Sequence, residues 1–187
     1  MKKSELRAHY KSLRNELSTK QVDDLSLQIA NSALKLPLWK HSFFHVFLTI
    51  ESLKEVRTDP IISILLGKDK HVVVSKSNFK TRSMSHVLLQ DNTILKLNQW
   101  AIPEPENGIT VHNDQIEVVF VPLVAFDVKG NRVGYGKGFY DEFLKNCSKD
   151  TLKIGLSFFE AEAVIHDIAL HDVPLDFCVT PNKVYTF

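Results

Sequence analysis

With 187 residues, 44% of them hydrophobic, the chain is long enough for one domain with a sizeable core, and 23 basic against 22 acidic side chains leave no net field to draw nucleic acid or a membrane surface. No apolar run approaches the roughly 20 residues that cross a bilayer, and no apolar stretch follows the N-terminal charges as in a secretion signal, so a soluble cytoplasmic protein is expected. Cys147 and Cys178 have no Cys-x-x-Cys spacing and make no disulfide framework, so both are expected as reduced thiols.

From Lys3 onward, Leu6, Tyr10, Leu13 and Leu17 fall within an arc of about 60° at helical spacing, which predicts an amphipathic helix. Ser18, with Gln21 three residues later, forms a capping box for a second helix through Val22, Leu25, Ile29 and Ala33 that Pro37 stops. Phe43 to Leu48 has the length of a buried strand. Asp59-Pro60 supplies the N-cap and first position of a short helix through Ile61, Ile62, Leu65 and Leu66, and Val72 to Val74 reads as the next strand, giving a βαβ unit. His86 to Leu89 and Ile94 to Leu97 predict shorter strands, whereas Pro103 to Gly108 predicts a loop. Val118 to Val121, Ile154 to Phe158 and Phe177 to Val179 supply the remaining strands, with a helix marked by Phe139, Tyr140, Phe143 and Leu144 after the first of them. Strands alternating with helices predict an α/β fold of three layers, a mainly parallel sheet with helices on both faces, in a single domain over residues 1 to 187.

Chemistry concentrates in Gly134-Tyr135-Gly136-Lys137-Gly138-Phe139-Tyr140-Asp141, a glycine loop between a strand and a helix. Glycines let backbone N–H groups approach a phosphate, and Lys137 adds a full charge. The loop is neither a Walker A sequence nor the dinucleotide fingerprint, and a plain glycine-rich turn is the alternative. Asp141 beside phosphates would repel them unless a cation intervened, which points to Mg²⁺ held by one or two carboxylates plus phosphate oxygens. Asp167, Asp172 and Asp176 are the candidates for the second carboxylate. Lys3, Arg7, Lys11 and Arg14 share an arc of about 80° on the first helix, a face able to reach phosphates or simply to lie in solvent. The histidines lack metal-ligand spacing, and no nucleophile motif occurs. Trp100 and Phe126 are candidates to line a ring-binding pocket or to pack in the core.

Several stretches together resemble the 5-formyltetrahydrofolate cyclo-ligase family across nearly the whole chain: Lys3-x-x-Leu6-Arg7, Glu55-Val-Arg-Thr58, Trp100-Ala-Ile-Pro-Glu104-Pro, and above all Phe126-Asp127 with Gly130-Asn-Arg132-Val-Gly134 through Asp141. The resemblance implies ATP-dependent conversion of 5-formyltetrahydrofolate, with or without a polyglutamate tail, to 5,10-methenyltetrahydrofolate with Mg²⁺, by a monomer that binds neither nucleic acid nor membrane. It implies a scaffold of the type used by sugar-phosphate isomerases and CoA-transferase relatives. It places Lys3, Arg7 and the loop Arg132, Gly134, Tyr135, Gly136, Lys137, Gly138, Phe139 and Tyr140 on ATP, with Lys137 and Arg132 catalytic. Asp141 and Asp172 fall on metal positions. Leu48, Glu55 and Tyr135 to Phe139 fall on the folate. Tyr135, Ser75-Lys76 and Leu123 depart from the family pattern, where Arg, Pro-Arg and Gly are frequent. Competing expectations are another enzyme on the same scaffold, such as a sugar-phosphate isomerase, and a non-catalytic folate or nucleotide binding module.

Overall fold

The computed structural model describes residues 1–187. Two helices open the chain, α1 (Lys3–Glu16) and α2 (Thr19–Ala33). The capping box between them closes: Ser18 Oγ accepts from the Gln21 N–H at 3.2 Å, and Gln21 Oε1 accepts from the Ser18 N–H at 2.8 Å. The βαβ unit follows as β1 (Phe43–His45), α3 (Asp59–Gly67) and β2 (His71–Asn78), with β1 and β2 parallel. Thr58 rather than Asp59 is the N-cap of α3. Pro60 thus sits second in the first turn, where its missing N–H has no helical partner to lose.

β2 turns back into β3 (Ser83–Leu88), which is antiparallel to it. β4 (Leu95–Leu97) pairs with β5 (Pro103–Pro105), so the proline stretch predicted as a loop is partly a strand. The prolines stand at alternate positions, facing away from the partner, while the residues between them face it; the Glu106 N–H donates to Ile94 O at 2.8 Å. In a two-stranded ribbon proline is admitted at such outward positions. After β6 (Val118–Pro122), a hairpin of β7 (Ala125–Phe126) and β8 (Arg132–Val133) leads through the glycine loop into α4 (Phe139–Lys145). β9 (Leu152–Leu156), β10 (Phe177–Val179) and β11 (Val184–Thr186) complete the chain, the last without a sequence-based prediction.

The main sheet runs in the order β11-β10-β9-β6-β1-β2-β3. Its five inner strands are parallel, and each edge strand is antiparallel. Alternation sorts the side chains. Phe44, Val72, Val74, Phe120 and Ile154 meet α2 and α3 on one face, whereas Val73, Val119 and Val121 meet Phe143 and Leu144 of α4 on the other. The α/β fold of three layers is thus present, with a third cluster joining Leu6 and Tyr10 of α1 to Val124, Ala125, Val133 and Ile165 above the strand ends. No helix is long and apolar enough to cross a membrane.

Candidate active site

The chain leaves β1 towards β2 on one side and returns to β6 on the other. In open α/β sheets such a reversal opens a crevice at the carboxyl ends of the strands. Here that crevice is a cleft of about 650 Å³, reached by Phe47 and Leu48 after β1 and by Pro122 at the end of β6. α1 and the glycine loop form one wall, and the β2–β3 hairpin with the residues around β5 forms the other.

Asp127 launches the glycine loop. It is fully buried after β7, and its Oδ1 accepts from the N–H groups of Lys129 and Asn131, each at 3.0 Å, and from Asn131 Nδ2 at 3.1 Å. Its Oδ2 accepts from Asn131 Nδ2 at 2.9 Å and from the Ile165 N–H at 3.1 Å. One carboxylate therefore closes the tight turn between β7 and β8 and ties it to the loop near Ile165, which fixes where Arg132 and the glycines emerge. Gly136 and Gly138 have φ of 88° and 76°, a left-handed conformation that side chains with a Cβ rarely adopt. A Cβ on Gly136 would also stand 3.4 Å from the Arg7 guanidinium, whose Nε donates to Gly134 O at 2.8 Å.

All residues assigned to ATP, folate or metal line this one cleft: Lys3 and Arg7 from α1, Leu48, Glu55, Arg132, Gly134 to Tyr140, Asp141 and Asp172. Lys137 is exposed there and makes no ion pair. Arg132 is buried against Asp141, its Nη2 2.7 Å from Oδ1, and its Nη1 donates to Val173 O. Burial pulls the Arg132 guanidinium below its ordinary range while Asp141 pulls it back. Asp141 also accepts the Val173 N–H at 3.1 Å, so the next residue back, Asp172, stands beside it. Asp172 pairs with Lys3 and accepts the Ala169 N–H at 2.7 Å. Burial pushes its carboxyl up, but Lys3 and this N–H together hold it below the usual carboxylate range. The other two candidate aspartates have structural partners: Asp167 accepts the Lys3 N–H at 2.7 Å, and Asp176 pairs with Lys153 at 2.8 Å.

No group of three or more His, Cys, Asp or Glu side chains converges on a metal position. Magnesium in nucleotide sites draws most of its ligands from phosphates and water, with one or two carboxylates from the protein. Adjacent Asp141 and Asp172 fit that donor set.

Glu55 is 3% exposed, and its Oε2 accepts the Ile50 N–H at 2.7 Å. Burial raises its carboxyl above the ordinary value, against the pull of that N–H, of Tyr135 and of Arg14. Thr58 of the same motif has a framework role, donating to Phe47 O at 2.8 Å. Of the two ring-pocket candidates, Trp100 lines the cleft and Phe126 is buried in the core. Phe79 had no assignment, yet its ring lies 3.9 Å from that of Trp100 and 5.0 Å from that of Phe139, measured between centroids. An aromatic residue at a polar hairpin tip, between Asn78 and Lys80, is the sequence trait that marks it. Glu104 also lines the cleft, its Oε1 accepting the Ser77 N–H at 2.9 Å where β1 no longer covers β2.

The model of the 5-formyltetrahydrofolate cyclo-ligase family matches residues 1–181. A Schizosaccharomyces pombe protein named probable 5-formyltetrahydrofolate cyclo-ligase is 30% identical, with 98% of this chain and 97% of that protein covered. The NMR structure of Aquifex aeolicus 5,10-methenyltetrahydrofolate synthetase superposes with a TM-score of 0.84 at 30% identity, covering 100% of this chain and 93% of the other. A Mycoplasma pneumoniae 5,10-methenyltetrahydrofolate synthetase shares the fold, with a TM-score of 0.76 at 24% identity and 97% and 99% coverage. Cationic loop, adjacent aspartates and buried glutamate thus occur on the fold of these synthetases, and the chain belongs to the 5-formyltetrahydrofolate cyclo-ligase family.

Proposed function

We propose that the chain converts 5-formyltetrahydrofolate to 5,10-methenyltetrahydrofolate, with ATP becoming ADP and phosphate. The carrying observation is that one cleft gathers the unpaired Lys137, the Arg132–Asp141 and Lys3–Asp172 pairs and the buried Glu55. A formyl oxygen is a poor leaving group until it is phosphorylated. In the proposed sequence it attacks the γ-phosphorus, and the bond to ADP breaks. N10 then attacks the activated carbon and loses its proton, and the C–O bond breaks to release phosphate. Phosphoryl transfer of this kind needs positioning and charge neutralisation more than a protein nucleophile.

Lys3 and Arg7 would orient the nucleotide from α1, and Gly134 to Tyr140 would bring backbone N–H groups against it. Lys137 would meet the charge that develops on the transferring group, with Arg132 behind it. A magnesium ion held by Asp141, Asp172 and phosphate oxygens would supply further neutralisation there. Glu55 would accept N–H donors of the pterin ring, while Leu48 and Phe139 offer it apolar contact. Purified protein given ATP, Mg²⁺ and 5-formyltetrahydrofolate should show methenyl absorbance rising with ADP in equal amount. Folded protein that forms no methenyl product would overturn the proposal.

A further inference from the structure

Arg14 lies in the last turn of α1, 2% exposed and outside the cleft lining. Its Nη1 donates to the Tyr135 hydroxyl at 2.7 Å and its Nη2 to Leu123 O at 2.5 Å, whereas Nε has no partner. It has no carboxylate at ion-pair distance. A guanidinium taken out of water without a counter-charge is costly, so a compensating anion is expected close by. The Tyr135 hydroxyl, having accepted from Arg14, still has its own proton to give, and Tyr135 lines the same cleft as the Glu55 carboxylate, whose titration it pulls down. Cation, phenol and carboxylate thus follow one another, linking α1 through the glycine loop to Glu55. Tyr135 is one of the positions at which the chain departs from its family's pattern.

We propose that Arg14 and Tyr135 form a positioning relay that holds Glu55 as an oriented acceptor for ring N–H donors of the substrate, an inference that rests on the reading of Glu55 as a folate contact. The phenol between the charges is what makes such an arrangement useful. A fork of two guanidinium N–H groups placed directly on Glu55 would engage both carboxylate oxygens and compete with ligand donors at each. Through the phenol, the positive charge still favours the carboxylate while taking a single lone pair. The other groups facing Glu55 are the Ile50 N–H and the Tyr140 ring, neither of them a cation. Arg14 is therefore the one cation acting on this carboxylate, adding to the pull of the Ile50 N–H and the Tyr135 hydroxyl against burial.

Arg14→Met, Arg14→Lys and Tyr135→Phe test the relay, with the Glu55 carboxyl carbon followed by NMR titration of the free protein and assigned with Glu55→Gln. Arg14→Met should move that titration to higher pH, and Arg14→Lys, which keeps the charge, should move it less. In turnover, Arg14→Met and Tyr135→Phe should raise KM for 5-formyltetrahydrofolate about tenfold, as expected for weakening one charged contact. For Arg14→Met, at a position outside the cleft lining, KM for ATP should stay unchanged, and the acidic limb of kcat/KM should move up in pH. Tyr135→Phe keeps the ring and its packing, so it serves if Arg14→Met does not fold. An unmoved Glu55 titration, or both KM values rising together in Arg14→Met as for a simple brace of the loop, would overturn the relay. Wild-type protein that makes no methenyl product removes the folate reading instead, and the NMR titration then decides the relay by itself.

Discussion

Replacing Asp127 by alanine removes the acceptor on which the entry to the glycine loop converges. The N–H groups of Lys129, Asn131 and Ile165 and the amide of Asn131 all end on its two oxygens, at 2.9 to 3.1 Å, in a site with no exposure. Hydrogen bonds to a charged group contribute about 1.5–3 kcal/mol each, but water can reach some of the donors once the side chain is gone, so a net loss of about 3–5 kcal/mol is expected. For a domain of this size that lowers the thermal midpoint by roughly 6–20 °C. Asp127→Asn should cost less, because its amide oxygen can keep the three contacts of Oδ1 while its NH₂ would meet the Ile165 N–H and the Asn131 amide donor to donor. Calorimetry of the two variants beside the parent protein measures both quantities. A midpoint for Asp127→Ala within about 2 °C of the parent, or Asp127→Asn the less stable of the two, would refute the reasoning.

At the cleft, Lys137→Ala should lower kcat by roughly 10² in the coupled ATP and folate assay if the ammonium meets developing phosphoryl charge, and near-parental turnover would remove that role. Asp141→Asn should raise the Mg²⁺ concentration needed for half-maximal turnover, and an unchanged metal dependence would exclude Asp141 as a ligand. In the core, burial holds His45 far below the ordinary imidazole range, with the nearby His86 adding to the effect, and burial pulls His86 down to about 4. Both fold as neutral rings, so the unfolded chain takes up their protons first. Stability is full above the unfolded value near 6.5 and is lost as pH falls from there towards 4. His86→Met should flatten the fall in urea midpoint across that window, and an equally steep fall would show that other groups carry it.

Local chemistry fixed what was legible before the structure. The Ser18 and Gln21 box, the apolar strand cores and the glycine loop depend on neighbours a few residues apart, and each formed. β5 was obscured because proline usually forbids a strand, and only the ribbon partner β4 decides which N–H groups are needed. β11 carries just three half-buried or exposed residues and exists through its pairing with β10. The basic face of α1 shows the same limit within the site. Lys3, Arg7 and Lys11 do reach the cleft, but Arg14, equivalent to them by angle, is covered by Leu123 and Tyr135, which lie over a hundred residues away in the chain. Helical spacing gives a direction from the axis and says nothing of what another element brings to that direction. His45 and His86 were unreadable for a similar reason: only the folded sheet puts both beside Phe143, with their ring nitrogens unpartnered.

The two ion pairs of the cleft bear on which nucleotide species the proposed site would take. Lys3 and Arg132 are already neutralised by Asp172 and Asp141, so phosphates arriving alone would take the cations and leave two carboxylates facing added negative charge. A nucleotide arriving with a divalent cation offers each member of each pair a new partner of opposite sign, phosphate oxygens to the ammonium and guanidinium, the metal to the carboxylates. The paired state thus keeps four charges at a cleft wall satisfied without ligand and is exchanged without orphaning any of them. On this argument ATP should bind this protein far more weakly in EDTA than with Mg²⁺, and the difference should shrink when both aspartates are amides. Glu55, buried and paired with neither cation, would lie outside this exchange and stay available to the proposed folate substrate.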